Sequence, residues 1–144
     1  MIMIKETKLA NDAIHQDALT IRLAVFVAEQ QVPIELEVED EERCVHIVLY
    51  EDNVPMGTAR MYEKAPGVYK VQRVAVLPAG RGKKFGEALM TYLADYVKNA
   101  NGQELVLDAQ LQALGFYEKL GYRAFGEVFD DAGIDHRHMS YLLD

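Results

Sequence analysis

Residues 74–86 read Val-Ala-Val-Leu-Pro-Ala-Gly-Arg-Gly-Lys-Lys-Phe-Gly, a strand-like run that passes through Pro78 and Gly80 into a stretch of small and cationic residues. From Phe85 onward, apolar residues fall at helical spacing, so the loop opens directly onto a helix N-terminus. The first backbone N–H groups of a helix have no partner within it, and the helix dipole places partial positive charge there. Small residues let an anion approach those amides, and Arg81, Lys83 and Lys84 add formal charge. The chemistry this permits is capture of a phosphate or diphosphate without a metal. The Gly-Lys-Ser/Thr ending of P-loop NTPases is absent and the G-x-G-x-x-G spacing is not met, so the loop is neither of the commoner nucleotide loops. A plain strand-to-helix turn with solvated cations is the alternative reading of the same string.

Other residues need a partner or offer one. Arg60 and Arg73 lie inside expected strands, where an arginine requires a counter-charge from a substrate anion or from the acidic run at Glu35, Glu37, Glu39, Asp40, Glu41 and Glu42. His136 and His138 share one face of a strand, a spacing that raises a metal site, but no third ligand is spaced near them and no metal is expected. Cys44 reads as a small core residue.

The elements that must position these groups follow from periodicity and turn chemistry. A strand over 2–9 precedes a helix capped by Asn11 or Asp12, which carries Ile14, Ala18, Ile21, Leu23, Val25 and Phe26 and is broken at Gln31-Val32-Pro33. Three strands, over 44–50, 56–62 and 68–77, are separated by Glu51-Asp52-Asn53 and Pro66-Gly67 and form an antiparallel meander. A long amphipathic helix follows over 85–97, bearing Ala88, Leu89, Tyr92, Leu93, Tyr96 and Val97 on one face; Asn101-Gly102 ends it, the glycine suiting a left-handed cap. A strand over 104–108, a short helix over 111–120 and strands over 122–129 and 139–143 complete the chain. Strand, helix, strand between Val68 and Asp108 is a crossover that makes part of the sheet parallel.

The whole of 1–144 is expected to form one α/β domain of mixed α+β type. Net charge is −8, which disfavours a nucleic-acid surface and tolerates a cationic amine. The single cysteine excludes an intramolecular disulfide, and no run of about 18 apolar residues marks a membrane span. The expectation is a cytoplasmic protein, monomer or homodimer, with no nucleic-acid or membrane partner.

With these motifs in hand, the chain resembles the GCN5-related N-acetyltransferase (GNAT) superfamily, and within it the small bacterial ElaA/YjcF-like group. The superfamily's loop pattern Gln/Arg-x-x-Gly-x-Gly/Ala falls on Arg81, Lys84 and Gly86. Its second signature is matched by Gln110, Ala113 and Tyr117-Glu118-Lys119-Leu120-Gly121-Tyr122. The subgroup features are similar to Val25-Phe26-Val27-Ala28-Glu29-Gln30, His46, Gly57-Thr58-Ala59-Arg60 and His136 with Met139. Lys84 replaces the loop's middle glycine, and a positive φ there would cost lysine about 1 kcal/mol. Gln110 stands where asparagine is usual, and Gly115 sits inside the short helix at a cost of about 1 kcal/mol against alanine.

The resemblance implies a mostly antiparallel six- to seven-stranded sheet with a central parallel βαβ unit, and a metal-free N-acetyltransferase that takes acetyl-CoA as cosubstrate. It implies that strand 73–77 splays from its parallel neighbour and that backbone groups of Val74, Ala75 and Val76 hold pantetheine. Arg81, Gly82, Lys83, Lys84, Phe85 and Gly86 would hold the diphosphate, and Gln110, Ala113 and Tyr117 would complete the cofactor site. Tyr117 becomes the acid that protonates the leaving thiolate. An alkylamine is almost wholly protonated at pH 7, so a base is also needed; Glu29, His46, Glu39 and Asp40 all qualify, and a water chain is the alternative. Arg60, Arg73 and His136 would bind the acceptor, a small-molecule or peptide amine. The rival reading is a domain that binds acetyl-CoA as a sensor with little turnover.

Overall fold

The structure is a computed structural model that describes residues 1–30 and 41–143; the acidic residues Glu35, Glu37, Glu39 and Asp40 and the break at Gln31-Val32-Pro33 lie outside the described residues. Seven strands run in the order β1-β2-β3-β4-β5-β7-β6, with β1 Ile2–Thr7, β2 Val45–Glu51, β3 Val54–Ala65, β4 Val68–Val76, β5 Glu104–Gln110, β6 Arg123–Asp131 and β7 Ile134–Leu142. Helices α1 Ala13–Arg22, α2 Phe85–Asn99 and α3 Leu114–Lys119 flank them. β4 and β5 are parallel, while β1–β2, β2–β3, β5–β7 and β6–β7 are antiparallel. This is the mixed sheet with a parallel βαβ unit expected from the sequence. Among the described residues no helix is long and apolar enough to cross a membrane.

The chain groups into two compact units, Met1–Tyr62 with Arg73–Tyr92, and Glu63–Gln72 with Leu93–Asp144. In the first, Asp12 caps α1 by accepting the His15 N–H at 2.9 Å, as its position before the apolar run predicts. Ala18, Ile21 and Val25 then pack on Val48 and Ala75, with Ile14, Phe26, Tyr50 and Leu77 around them. The expected helix does not stay α-helical: past Arg22 it widens into a π-helix, Leu23–Glu29. Such widened turns concentrate at functional sites.

In the second unit, β4 and β5 pair from Val68 with Glu104 to Val71 with Leu107. Leu105, Leu107, Ala109 and Met139 form one buried sheet face. Strand β7 starts at Ile134, five residues earlier than periodicity suggests, because Asp135, His136, Arg137 and His138 hide the alternation behind polar side chains.

The end of α2 differs from expectation in one detail. Asn101, at φ +61°, takes the left-handed position, and Gly102 donates its N–H to Val97 O at 2.8 Å. Gly102 is needed for space instead, since a Cβ there would lie 2.3 Å from Val97 Cγ1 and 3.0 Å from Tyr69 Cε1. Gly102→Ala is therefore expected to destabilise the protein by about 1–3 kcal/mol through overpacking. Asn101→Gly, which relieves a left-handed residue, should leave stability equal or higher. Urea unfolding of the two variants checks this, and equal midpoints would count against the assignment.

Candidate active site

The loop between β4 and α2 lies wholly within the first unit. Leu77 N–H donates to Met56 O at 2.8 Å, and Pro78–Gly80 make one 3-10 turn. Gly80 is buried where a Cβ would meet Phe85 Cδ2 at 3.0 Å and Val76 Cγ1 at 3.2 Å, so Phe85 closes down on the turn only because residue 80 is glycine. Gly82 at φ +81° and Lys84 at φ +65° then swing the backbone round into α2. Lys84 thus occupies the left-handed conformation its place in the pattern called for, at a cost of about 1 kcal/mol relative to glycine. The result is a helix head whose first N–H groups lack intrahelical acceptors, with Val74, Ala75 and Val76 on the strand leading in.

The cations of this loop are not equivalent. Arg81 donates through Nη1 and Nη2 to both oxygens of Glu29, at 2.9 and 2.6 Å, and through Nε to Val76 O at 3.1 Å. Lys83 reaches both oxygens of Glu51 at 3.0 and 3.1 Å. Lys84 makes no ion pair among the described residues. The hydrogen bond from Arg81 holds the Glu29 carboxyl below the ordinary carboxylate range, which makes it a poor proton acceptor. Glu29 acts as an anchor for Arg81 at the end of the π-helix.

His46 also has a structural partner. Its Nε2 lies 2.9 Å from Glu41 O and 3.3 Å from Glu41 Oε2, while His15 Nε2 lies 3.2 Å from the same carboxylate oxygen. Arg22 donates to Glu41 Oε1, and Arg60 Nη1 stands 3.7 Å from Oε2. Helical spacing brings His15, Ala18 and Arg22 to one face of α1, and register brings His46 opposite Arg60 on β2 and β3. Burial raises the Glu41 pKa, but Arg22, His46 and Arg60 outweigh it and the group stays ionised. Burial holds His46 below its ordinary value despite Glu41, so it is neutral at pH 7. Its Nδ1 is enclosed with no hydrogen-bond partner, as is that of His15. His15 Nε2, Glu41 Oε2 and His46 Nε2 lie within 4.8 Å of one another, a spacing a metal ion accepts, but the two guanidiniums on the same carboxylate oppose a further cation. The roles of His15, Arg22 and Glu41 are not apparent in the sequence beyond the helical spacing of the first two.

Arg73, at φ +57°, kinks β4 just before Val74. In the second unit, Gln110 ends β5 and accepts from Gln112, and Ala113 precedes α3. Tyr117 is 8% exposed and packs edge-on to Phe116 and Tyr122, with ring centroids at 4.9 and 5.8 Å. Burial pushes its phenol pKa up, so it stays protonated and able to donate. His136, opposite Gln110 on β7, donates from Nδ1 to Ile134 O at 2.7 Å.

This fold and this loop define an acetyltransferase. The chain belongs to the GNAT acetyltransferase domain family, whose model matches residues 9–143. Over 126 residues it is 39% identical to the uncharacterised N-acetyltransferase YjcF of Bacillus subtilis, covering 86% of this chain and 89% of that one. The crystal structure of Escherichia coli ElaA superposes with a TM-score of 0.86 at 26% identity, covering 98% of this chain and 99% of that one. An acyl-CoA N-acyltransferase from Pseudomonas aeruginosa shares the fold, with a TM-score of 0.85 at 22% identity over 98% and 99% of the two chains.

The Glu41 cluster gives a pH dependence whose sign is fixed. A histidine whose folded pKa is depressed binds fewer protons folded than unfolded, so its contribution is intact above the ordinary value of 6.5 and is lost as pH falls. Glu41, also depressed, adds a second loss below its ordinary 4.5. Unfolding free energy should therefore decline from pH 6.5 downward, and His46→Gln should flatten the upper part of that decline. Parallel pH curves for the two proteins would contradict the assignment.

Proposed function

We propose that this chain transfers the acetyl group of acetyl-CoA to a primary amine of a small molecule or peptide by direct attack. The observation that carries the reading is the backbone of the loop. Gly82 and Lys84 at positive φ deliver the chain to the head of α2, whose first amides have no acceptor within the helix, beside Lys84, which makes no ion pair among the described residues. The residues fit a diphosphate. Gly82 offers no side chain to crowd it, and a Cβ there would meet nothing within 4 Å, so the approach is open, while Gly80 lets Phe85 close the turn beneath. The acyl-CoA named for the Pseudomonas neighbour supports the choice of cofactor.

Bound acetyl-CoA supplies an activated acyl group. The protein's part is to hold and polarise it. Amides of Phe85 and Gly86, with Gly82 and Lys84, bind the diphosphate, and Lys84 is the cation available to it. Arg81 and Lys83 hold the loop in shape through Glu29 and Glu51. Backbone groups of Val74, Ala75 and Val76 receive the pantetheine amides, and the Val76 N–H polarises the acyl carbonyl. Gln110 and Ala113 complete the cofactor contacts. Tyr117, whose burial keeps the phenol protonated at rest, donates its proton to the leaving sulfur as the thiolate forms. Arg60, Arg73 and His136 remain the groups proposed for recognising the acceptor, Arg60 through the Glu41 cluster it adjoins.

Two measurements test this reading. Calorimetry with coenzyme A and with ATP should show binding of coenzyme A and a clear preference for it; preference for ATP would end the proposal. Tyr117→Phe should lower kcat by about 10²-fold in an amine-dependent coenzyme A release assay, with cofactor affinity unchanged. Unaltered turnover would remove Tyr117 from the chemistry. Tight coenzyme A binding without release for any amine would favour the sensor reading.

A further inference from the structure

The second unit contains a histidine held as proton acceptors are held. His138 Nδ1 lies 2.6 Å from Asp108 Oδ1, and Lys70 Nζ lies 3.0 Å from Asp108 Oδ2. Burial raises the Asp108 pKa, but Lys70 and His138 outweigh it, so Asp108 is a carboxylate and can only accept. Nδ1 therefore carries the hydrogen, and Nε2 is left as the basic atom. Two rings stack on the imidazole, Phe129 at 4.5 Å and Phe125 at 5.6 Å between centroids. Those two phenylalanines reach it because β6 is bulged. Phe125 pairs with His138 and Phe129 with His136, so four steps along β6 match two along β7. Arg137 secures the bulge by donating to Gly126 O from Nε at 3.2 Å and Nη2 at 2.9 Å. The His138 side chain is nonetheless 46% exposed.

Its position relates it to the residues already assigned. Gln110 pairs with His136 and Asp108 with His138, so the dyad lies on the same sheet face, two residues along, roughly 7 Å away. Tyr117 lies on the other face. Its ring contacts Tyr122, which contacts Tyr141, and Tyr141 pairs with Leu105 on the buried face of β5. An acid and a base on opposite sides of one strand can serve the leaving sulfur and the entering nitrogen without neutralising each other.

We propose that His138, oriented by Asp108, is the base that deprotonates the acceptor ammonium; this rests on the acetyl-transfer reading above. His138 Nε2 takes one proton from R–NH3⁺. The freed nitrogen lone pair forms the C–N bond, the C–S bond breaks, and the thiolate receives the Tyr117 proton. The second nitrogen proton restores the Tyr117 phenol, and His138 passes its own proton to water. The sum is ammonium plus acetyl thioester giving amide, thiol and one H⁺. That released proton must reach solvent on every turnover. Exposed His138 can deliver it, whereas His46 is fully buried with Nε2 committed to Glu41. The groups facing His138 are Asp108 and, behind it, Lys70 on β5 and β4, His136 and Arg137 on β7, and the two apolar rings of β6.

The test compares n-butylamine, which is protonated at pH 7, with trifluoroethylamine, which is largely neutral there. His138→Gln should lower kcat/KM for n-butylamine by about 10²-fold and leave trifluoroethylamine nearly unchanged. It should also abolish the acid limb of the n-butylamine pH profile. Independently of turnover, nitrogen-15 NMR of the wild-type imidazole should show the Nδ1–H tautomer, and Asp108→Asn should lose that preference. Equal losses for both amines would mean a structural role, and no loss, or the opposite tautomer, would overturn the proposal. A wild-type protein that binds coenzyme A yet acetylates no amine of a broad panel, these two included, would overturn the acetyl-transfer reading and the base with it.

Discussion

A helix that begins inside a protein must find acceptors for its first amides beyond its own turns, and the backbone of residues 77–86 sets where those of α2 point. Everything distinctive about residues 77–86 serves that arrangement. The 3-10 turn at Pro78–Gly80 shortens the path from β4, Phe85 packs where a side chain on residue 80 would otherwise stand, and Lys84 tolerates a left-handed backbone to bring the helix head round. Each is a modest cost accepted at one place. Together they gather several aligned N–H groups at one place, which no single side chain could do.

The rest of the first unit stabilises this arrangement by pairing charges across long sequence separations. Glu29 holds Arg81 and Glu51 holds Lys83, while Glu41 gathers two histidines and two arginines from α1, β2 and β3. Removing one partner from such a buried group would leave the others desolvated and unpaired, which is far more costly than the pair itself is favourable. That asymmetry locks α1 against the sheet and fixes the direction in which the π-helix leaves it.

Features set by local chemistry were legible in the sequence. The strand, glycine turn and amphipathic run announced the loop, Asn11-Asp12 announced a cap for α1 that Asp12 takes, and the left-handed demand at residue 84 followed from the glycine it replaces. Features set by register or by distant pairing were not. Glu41 looks like one acidic residue among many until β2 and β3 align His46 with Arg60 beneath it. Glu29 reads as a free carboxylate, and only folding brings Arg81, fifty-two positions away, into contact with it. The start of β7 was lost because its polar residues are paired from neighbouring strands, a fact about the sheet rather than about Asp135-His136-Arg137-His138. The phenylalanine slot around His138 likewise depends on a bulge that shifts register by two residues, and no period in the sequence encodes such a shift.

The carboxylate tethers on Arg81 and Lys83 also set how the loop responds to its surroundings. With those two charges paired to Glu29 and Glu51, a diphosphate bound as proposed would meet the Lys84 ammonium and the amide dipoles at the head of α2. Dissolved ions screen exposed charges over distances near 10 Å, but they intrude poorly on hydrogen bonds made in contact. A grip built this way would belong more to the shape of the backbone than to formal charge, and would lose less to added salt than one made by three unpaired cations.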